Sequence, residues 1–353
     1  MKVLAFTKYD REAASTRQRL LQYLPAFSTA GITVDYQPLL DDAYIRSLTG
    51  HGKPSRARIA RSYLSRLATL RRRPDADLIW VYAELFPWLP ARFERVVHRW
   101  GIPVIYDFDD AFFVPYDEHP RGAARLLLRD KLRPLIEGAA ACTCGNAYLR
   151  DYAARWCERS LVVPTVVDTE RYVPVAAPDA PPVIGWIGSP STWANVRPLL
   201  PMLAQLHRET GARIRAIGAG RGAEADRFEG LDLVEWSEAS EIAEVQRFTI
   251  GIMPLIDAPF QRGKSGYKLI QYMACGLPTV ASPVGVNRQI VIEGETGFLV
   301  ENANQWRERL RALLADPALR ARLGAAGRQR AVAAYSLANE APRLIELFRS
   351  VAG

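Results

Sequence analysis

The sequence has few of the features that would place it in a membrane or a secreted compartment. No apolar run approaches the roughly 18 residues of a membrane-spanning helix. The first apolar run ends at Thr7 and is too short for the core of a signal peptide. The four cysteines, Cys142, Cys144, Cys157 and Cys275, form neither zinc-type pairs nor a disulfide framework. These absences predict a protein of the reducing cytoplasm.

Metal-binding and phosphate-loop patterns are also scarce. The four histidines lack the spacing of metal ligands, so no metal site is predicted. The segment "GKSGYK" (263–268) is similar to the end of a phosphate-binding P-loop, but Ala258 stands where that motif requires a glycine. The P-loop class of nucleotide-binding proteins is therefore excluded, and no resident cofactor is expected.

The charge is unevenly distributed. A formal net charge of +8 favours a polyanionic partner: a nucleic acid, an anionic membrane surface or a phosphorylated substrate. Residues 53–73 hold eight basic side chains and no acidic one, with apolar residues at helical spacing. Such a helix predicts contact with an anionic membrane, the alternative being a surface helix that packs on its own domain. No nucleic-acid motif accompanies the charge, so no nucleic-acid partner is predicted.

The order of predicted elements indicates two α/β domains. A chain of 353 residues exceeds the usual size of a single core, and short β-rich runs alternate with helical segments throughout. A proline- and alanine-rich linker is predicted at 173–182, between domains at 1–172 and 183–335. The last helix, 336–353, caps the second domain or crosses back to the first. We therefore predict two tandem doubly wound, Rossmann-like domains that face an interdomain cleft.

A basic helix start stands out in the second half. A helix that begins near Ser265 would place Lys264, Lys268 and Gln271 on one narrow stripe. Cations are disfavoured at the positive end of a helix, so their presence is explained if an anion binds there. Backbone amides around Gly266 would approach that anion closely. The alternative is a buried helix with a solvated basic end.

The segment that follows carries a family resemblance. "KLIQYMACGLPTVASPVGVNRQIVIEGETGFLVEN" (268–302) is similar to the donor-binding signature of GT-B glycosyltransferases of the large retaining family 4, also called glycosyl transferases group 1. "STRQRLLQYLPAFSTAGI" and "YDFDDAFF" resemble more loosely the acceptor domain of a bacterial branch of that family. The resemblance implies that the second domain binds a nucleoside-diphosphate sugar. Its implied donor residues are Gly188, Ser189, Thr192, Trp236, Ser265, Gly266, Gln271, Gly285 and Val286.

Two positions depart from the family pattern. The family carries two glutamates eight positions apart, and Gly263 and Gln271 stand at the matching positions of this chain. The side-chain amide of Gln271 can replace one glutamate as a hydrogen-bond partner of a ribose hydroxyl. The start of the second domain lacks the family's Arg and Lys for the diphosphate, which leaves Lys264 and Lys268 as the candidate cations. Trp236 either stacks on the nucleotide base or packs on its own domain.

The acceptor is expected to meet acidic side chains in the first domain. Asp109 and Asp110 follow a predicted strand, where they would orient an acceptor hydroxyl or accept its proton. They are also similar to the Asp-x-Asp metal motif of the other large glycosyltransferase fold, GT-A, or could simply cap the turn. The remaining acceptor candidates are Arg17, Glu84, Asp107 and His119. Arg17 is almost equally well explained as part of a solvated helix face.

The resulting functional prediction is a glycosyltransferase at or near the inner face of the membrane. It would move a sugar from a nucleoside-diphosphate sugar to a glycan or lipid-linked hydroxyl acceptor, with Asp109, Asp110, Lys264 and Lys268 as catalytic residues. The resemblance implies retention of configuration without a metal. The alternatives are a non-catalytic protein that binds nucleotide-sugar or glycan within an assembly, and a GT-B nucleotide-sugar epimerase.

Overall fold

A computed structural model describes residues 1–49, 54–176 and 181–353. Lys53 and residues 177–180 of the predicted linker lie outside that range. The chain divides into two compact units. The first comprises Met1–Thr165, Arg262–Ser265 and Leu337–Gly353, and the second comprises Val166–Gln261 and Gly266–Ser336. In the described part of the chain no helix combines the length and the apolar character needed to cross a membrane.

Each unit is built on a sheet of six parallel strands within the described residues, in the orders β2-β1-β3-β4-β5-β6 and β12-β11-β10-β7-β8-β9. The first sheet contains β1 (Lys2–Tyr9), β2 (Thr33–Leu40), β3 (Leu78–Tyr82), β4 (Val104–Phe108), β5 (Ala141–Cys144) and β6 (Ser160–Val162). The second sheet contains β7 (Val183–Ile187), β8 (Arg213–Ile217), β9 (Leu231–Val234), β10 (Ile250–Met253), β11 (Thr279–Ala281) and β12 (Gly297–Leu299). The predicted α/β class with two Rossmann-like domains is confirmed.

Helices connect the strands and cover the sheets. In chain order the α-helices are α1 (Ala14–Arg19), α2 (Leu24–Thr29), α3 (Asp42–Thr49), α4 (Arg56–Thr69), α5 (Val114–Asp117), α6 (Gly122–Leu128), α7 (Arg133–Glu137), α8 (Ala147–Ala153), α9 (Leu200–Thr210), α10 (Glu241–Val245), α11 (Pro259–Arg262), α12 (Tyr267–Ala274), α13 (Asn287–Ile290), α14 (Ala303–Ala315), α15 (Pro317–Ala334) and α16 (Leu337–Ala352). Short 3-10 helices occupy Leu21–Tyr23, Ala91–Trp100, Pro190–Asn195, Arg197–Leu199 and Arg221–Asp226.

The burial and direction of the central strands indicate where a ligand can bind. Every residue of β3 and β4 is buried, as expected for strands covered by helices on both faces. Because all strands of a sheet run in parallel, their carboxyl ends lie at one edge. In doubly wound sheets, ligands bind beyond that edge where the strand order reverses. These points lie between β1 and β3 in the first unit and between β7 and β10 in the second.

Two segments whose apolar residues recur at helical spacing are interrupted in the structure. The segment "TRQRLLQYLPAF" breaks after α1, and α2 then begins at Leu24 with Pro25 in its first turn. Proline has no amide hydrogen and clashes with the preceding turn, so it fits the start of a helix and not its interior. The segment "RLLLRDKLRPLIEGA" breaks at Asp130, which adopts a left-handed conformation with φ 55°.

The last helix, α16, packs within the first unit. Phe348 lies 5.1 Å from the ring of Phe27 and 5.0 Å from that of Trp80, between ring centroids. Both Phe348 and Phe27 are fully buried. The chain therefore contributes its C-terminal helix to the same core as its first strands.

A buried acid at the start of α16 makes the stability of this unit pH-dependent. Glu340 is 3% exposed, and its Oε2 accepts a hydrogen bond from Arg343 at 2.8 Å. Its Oε1 has no hydrogen-bond partner among the described residues. Burial raises the pKa of Glu340 above its ordinary value. A raised carboxyl pKa stabilises the fold below the pKa of the unfolded chain, and that stability is lost as the pH rises through the folded pKa.

We expect Glu340→Gln to raise the free energy of unfolding at pH 7 by about 1 kcal/mol, because the variant buries no charge. The gain should disappear near pH 3, well below the pKa of about 4.3 in the unfolded chain, where the wild-type carboxyl is protonated in both states. Urea unfolding at the two pH values measures this difference. Glu346→Gln, at an exposed position of the same helix, is the control, and an equal gain at both pH values would contradict the prediction.

Candidate functional site

Asp107 ends up inside the first unit, in a buried ion pair. It lies in β4 and is 1% exposed. Arg19 of α1 donates two hydrogen bonds to its carboxylate, one of them from Nε at 3.1 Å, and Thr143 donates a third at 2.7 Å. Arg19 also donates to the carbonyl of Val163 at 2.8 Å. The ion pair thus ties α1 to β4, to β5 and, through the Arg19 guanidinium, to the residue that follows β6.

The two following aspartates have different surroundings. Asp109 is 5% exposed and accepts a hydrogen bond of 2.6 Å from the hydroxyl of Tyr82. Asp110 is half-buried and forms a 2.8 Å ion pair with Lys264. The carbonyl of Lys264 in turn accepts from the side-chain amide of Asn146 at 3.0 Å. Asp109 and Asp110 therefore lie at the carboxyl end of β4, and Asp110 has a cation beside it.

Glu84 occupies the point where the strand order of the first sheet reverses. It follows β3, is 1% exposed and forms a 2.7 Å ion pair with Lys8 of β1. Tyr116 also donates a hydrogen bond to it. Burial alone would lower the pKa of Lys8, but the neighbouring Glu84 carboxylate raises it above its usual range. Ala83, at φ 66°, turns the chain so that Glu84 reaches this position.

The two other acceptor candidates lie at the surface of the first unit. Arg17 is half-buried on α1 and donates to the carbonyl of Arg11 at 2.8 Å. His119 is half-buried, and its ring lies 6.1 Å from the ring of Trp88. Trp88 is 56% exposed, which makes it a surface aromatic beside the Glu84 region.

In the second unit, a close backbone approach places Trp236 beside the loop after β7. A Cβ atom on Gly218 would lie 2.4 Å from the carbonyl oxygen of Gly188 and 3.2 Å from the Cβ of Trp236. Gly218 has φ 74°, so glycine is required both by its conformation and by the lack of space. Gly188 and Trp236 are thereby neighbours at the carboxyl edge of the second sheet.

Hydroxyl side chains organise the turn that follows Gly188. The backbone N–H of Ser189 donates to the Oγ1 of Thr192 at 3.1 Å, and the two residues form a reciprocal capping box around the short helix Pro190–Asn195. A Cβ atom on Gly188 would lie 2.3 Å from the ring of Trp186. The turn is thus held close to the end of β7.

Glu241 joins three side chains from separate parts of the second unit. Its carboxylate accepts hydrogen bonds from the hydroxyl of Tyr172, from Nε2 of Gln271 at 2.8 Å and from Nε1 of Trp236 at 2.5 Å. Nε2 of Gln271 also donates to the oxygen of Tyr172 at 3.0 Å. Burial raises the pKa of Tyr172 well above its ordinary value, so this hydroxyl remains a donor. The network orients the Trp236 indole and the Gln271 amide together.

Sequence reasoning missed Glu241 and Tyr172. Glu241 lies in the first turn of α10, five residues after Trp236, and an acidic first turn is common in any helix. Tyr172 lies next to the proline- and alanine-rich segment. The sequence offered one signal for Glu241: it is a carboxylate on the helix that follows Trp236.

The start of α12 differs from the prediction. The helix begins at Tyr267 because Gly266, with φ 70°, ends the preceding turn in a left-handed conformation. The prediction that Lys264 shares a helical face with Lys268 and Gln271 is therefore wrong. Lys268 remains on the first turn of α12, and its Nζ lies 5.8 Å from the ring centroid of Trp186.

Packing accounts for the glycines around that helix start. A Cβ atom on Gly266 would lie 3.0 Å from Val286 and closer still to Ile290, so Gly266 and Val286 are brought together. Gly285, at φ 55°, precedes Val286 and requires the same conformational freedom. Ser265 is half-buried and belongs to the first unit.

The predicted residues thus form two groups at the carboxyl edges of the two sheets. In the first unit these are Glu84, Asp107, Asp109, Asp110 and Lys264, with Arg17 and His119 nearer the surface. In the second unit they are Gly188, Ser189, Thr192, Trp236, Gly266, Lys268, Gln271, Gly285 and Val286. The described residues include no cluster of three or more His, Cys, Asp or Glu side chains placed to share a metal ion.

Comparisons with known proteins show what the chain is similar to. Residues 181–316 match the family model described as glycosyl transferases group 1. An alpha-maltose-1-phosphate synthase of Mycobacterium tuberculosis is 35% identical over 111 residues, which is 29% of this chain and 27% of that protein. A D-inositol 3-phosphate glycosyltransferase of Geodermatophilus obscurus is 26% identical over 72% of this chain and 62% of its own length. The chain thus spans about a quarter of the maltose-phosphate synthase.

Solved structures resemble the whole chain. A sucrose-phosphate synthase from Thermosynechococcus elongatus superposes with a TM-score of 0.76 at 18% identity, covering 99% of this chain and 98% of that one. The HepE protein of Anabaena, solved in complex with UDP and glucose, gives a TM-score of 0.74 at 15% identity, with 99% and 100% coverage. At such low identity the likeness establishes the fold alone, and that fold is GT-B.

Proposed function

We propose that this protein is a glycosyltransferase, because residues 181–316 match the family model of glycosyl transferases group 1 and the chain has the GT-B fold. It transfers a sugar from a nucleoside-diphosphate sugar to a hydroxyl acceptor. The observation that carries this proposal is the group of side chains in the second unit: the Lys268 cation lies beside Trp186 of β7, and Glu241 orients both the Trp236 indole and the Gln271 amide.

We assign the donor to the second unit. Lys268 and the amides at the start of α12 bind the diphosphate, since a cation and a helix N-terminus both stabilise its negative charge. Gln271 donates through Nε2 to Glu241, so its Oε1 is left to accept from a ribose hydroxyl. Trp236, held through Nε1 by Glu241, offers its ring to the base.

We assign the acceptor to the first unit. The buried carboxylate of Asp109 and the Lys264-paired carboxylate of Asp110 are the candidates to orient an acceptor hydroxyl or take its proton. Glu84 is engaged by Lys8 and Tyr116 and therefore acts by positioning its neighbours. The resemblance to glycosyl transferases group 1 favours retention of configuration and a reaction without a metal.

Charge favours a lipid-linked acceptor and a location at the inner face of the membrane. On α4, Arg56, Arg58 and Arg61 are exposed, and the exposed 71–73 triplet follows the helix. Arg66 instead points inward, donating to the carbonyls of Thr7 and Gln37. The described part of 53–73 therefore keeps a basic outer face that suits an anionic membrane surface.

Binding of nucleotides tests the proposal most directly. Calorimetric titration of UDP, GDP, ADP and CDP should identify one nucleoside diphosphate that binds at least tenfold more tightly than the others. The matching nucleotide-sugar should then be hydrolysed slowly without an acceptor, and proton NMR of the released sugar reports its anomeric configuration. If none of the four binds, the glycosyltransferase assignment fails. If one binds but its sugar is never cleaved, the non-catalytic alternative is correct.

A further inference from the structure

The segment between Asp117 and Asp130 is a surface loop with pinned ends. The backbone N–H of Asp130 donates to Oδ1 of Asp117 at 2.9 Å, and Asp130 turns the chain with φ 55°. Leu128 is 6% exposed and anchors the loop to the first unit. The hydrogen bond between Asp130 and Asp117 and the burial of Leu128 thus fix the two ends of the loop, and the residues between them lie at the surface.

The tip of this loop exposes apolar side chains. It contains α6, in which Leu126 is 73% exposed and Leu127 is 61% exposed. A helix of a soluble domain normally turns its leucines toward the core. Two adjacent leucines held in water are a cost to the isolated protein, and such patches usually mark a surface that becomes covered.

The charge around the leucines indicates what covers them. Between Asp117 and Asp130 the loop contains Arg121, Arg125 and Arg129, and its one acidic residue, Glu118, lies at the base beside Asp117 and away from the leucines in sequence. All three arginines are exposed, and within the described ranges none of them forms an ion pair with a carboxylate. The exposed leucines have unpaired arginines close to them in sequence. This combination is complementary to a partner that has anionic groups at its surface and an apolar region beneath them.

A surface aromatic lies at the base of the same loop. Trp88 is 56% exposed and packs against the rings of Tyr116 at 5.0 Å and His119 at 6.1 Å. Tryptophan is enriched at the boundary between lipid and water because it has an apolar body and a polar N–H. The loop therefore combines an apolar tip, a basic ring and an interfacial aromatic.

We propose that this loop inserts into an anionic lipid bilayer, with Leu126 and Leu127 entering the acyl region and the three arginines binding lipid phosphates. The inference rests on the proposed function only in its choice of a lipid-linked acceptor. In this proposal residues 119–129 insert into the apolar part of the bilayer. The basic face of α4 contributes the long-range electrostatic attraction between the protein and the anionic membrane surface. On α4, Leu64 is the one large apolar side chain that is strongly exposed among its described residues.

Vesicle binding tests the loop directly. The full chain is sedimented with vesicles of phosphatidylglycerol and phosphatidylcholine, and separately with pure phosphatidylcholine. We expect binding to the anionic vesicles alone, and we expect Leu126→Ser/Leu127→Ser to weaken it at least tenfold, with unchanged affinity for the nucleoside diphosphate that the calorimetric titration identifies. Ile256→Ser, which alters a 52% exposed residue of the second unit, is the matched control and should bind as wild type. Leu64→Ser should have an effect of less than threefold.

A fluorescence experiment reports insertion itself. All four native cysteines are buried, so Leu127→Cys can be labelled selectively with an environment-sensitive dye, and its emission should shift to the blue on anionic vesicles. The proposal is overturned if wild type ignores anionic vesicles, if the double serine variant binds them equally well, or if the dye does not respond. Because nucleotide binding is measured on the same samples, failure of the loop is distinguishable from failure of the glycosyltransferase assignment.

Discussion

Replacing Lys268 with alanine is expected to lower kcat/KM for sugar transfer by about 100- to 1000-fold, the loss typical when a preorganised group is removed from a developing negative charge. Lys268 is the basic residue on the first turn of α12, and it is half-buried above Trp186. Partial burial strengthens its attraction for a departing diphosphate relative to an exposed lysine. Steady-state kinetics with the nucleotide-sugar identified by titration provide the measurement.

Two further variants make this result specific. Lys268→Arg keeps the charge and should retain more activity than the alanine variant. Arg288→Ala removes an exposed basic residue from the neighbouring helix α13 and should change kcat/KM less than threefold. If Lys268→Ala also stays within threefold of wild type, Lys268 does not bind the diphosphate and the donor assignment at α12 fails.

Replacing Arg19 with methionine is expected to lower the free energy of unfolding by roughly 3–5 kcal/mol, because it leaves a buried carboxylate without its counter-charge. Arg19 is 2% exposed and Asp107 is 1% exposed, so water cannot compensate for the lost pair. Thr143 alone would then donate to the Asp107 carboxylate. Chemical denaturation monitored by tryptophan fluorescence measures the loss.

The pair also allows an internal control. Arg17→Met, two residues away on the same helix, removes a half-buried arginine whose Nη1 bonds a backbone carbonyl, and it should cost less than about 1 kcal/mol. Adding Asp107→Asn to Arg19→Met should restore part of the stability, since the stranded charge is gone. A loss below about 1 kcal/mol for Arg19→Met alone would show that the carboxylate is neutral in the folded protein.

The ion pair bears on the acceptor candidates as well. Asp107 has its carboxylate engaged by Arg19 and Thr143 and is fully buried, whereas Asp110 pairs with Lys264 and is more exposed. We therefore expect conservative changes at Asp110 to alter activity with little effect on stability, and changes at Asp107 to do the reverse. Comparing Asp110→Asn with Asp107→Asn in both assays separates the two roles.

The sequence by itself determined the architecture and the resemblance to glycosyl transferases group 1. Alternating β-rich and helical segments require parallel sheets covered on both faces, and parallel sheets gather their carboxyl ends at one edge. That reasoning located Glu84, Asp109 and Gly188 at strand ends without any coordinates. The 268–302 signature carried that resemblance because its glycines and helix form a local unit whose spacing is visible along the chain.

Only the tertiary structure decided which side chains meet. Glu241 joins Tyr172, Trp236 and Gln271 across as many as 99 residues of sequence, and Arg19 finds Asp107 across 88. Left-handed Gly266 separates Lys264 from the helix that holds Lys268, so that Lys264 pairs with Asp110. Such partners depend on how buried charges and donors are satisfied after the strands have assembled, and no periodicity of the sequence encodes that pairing.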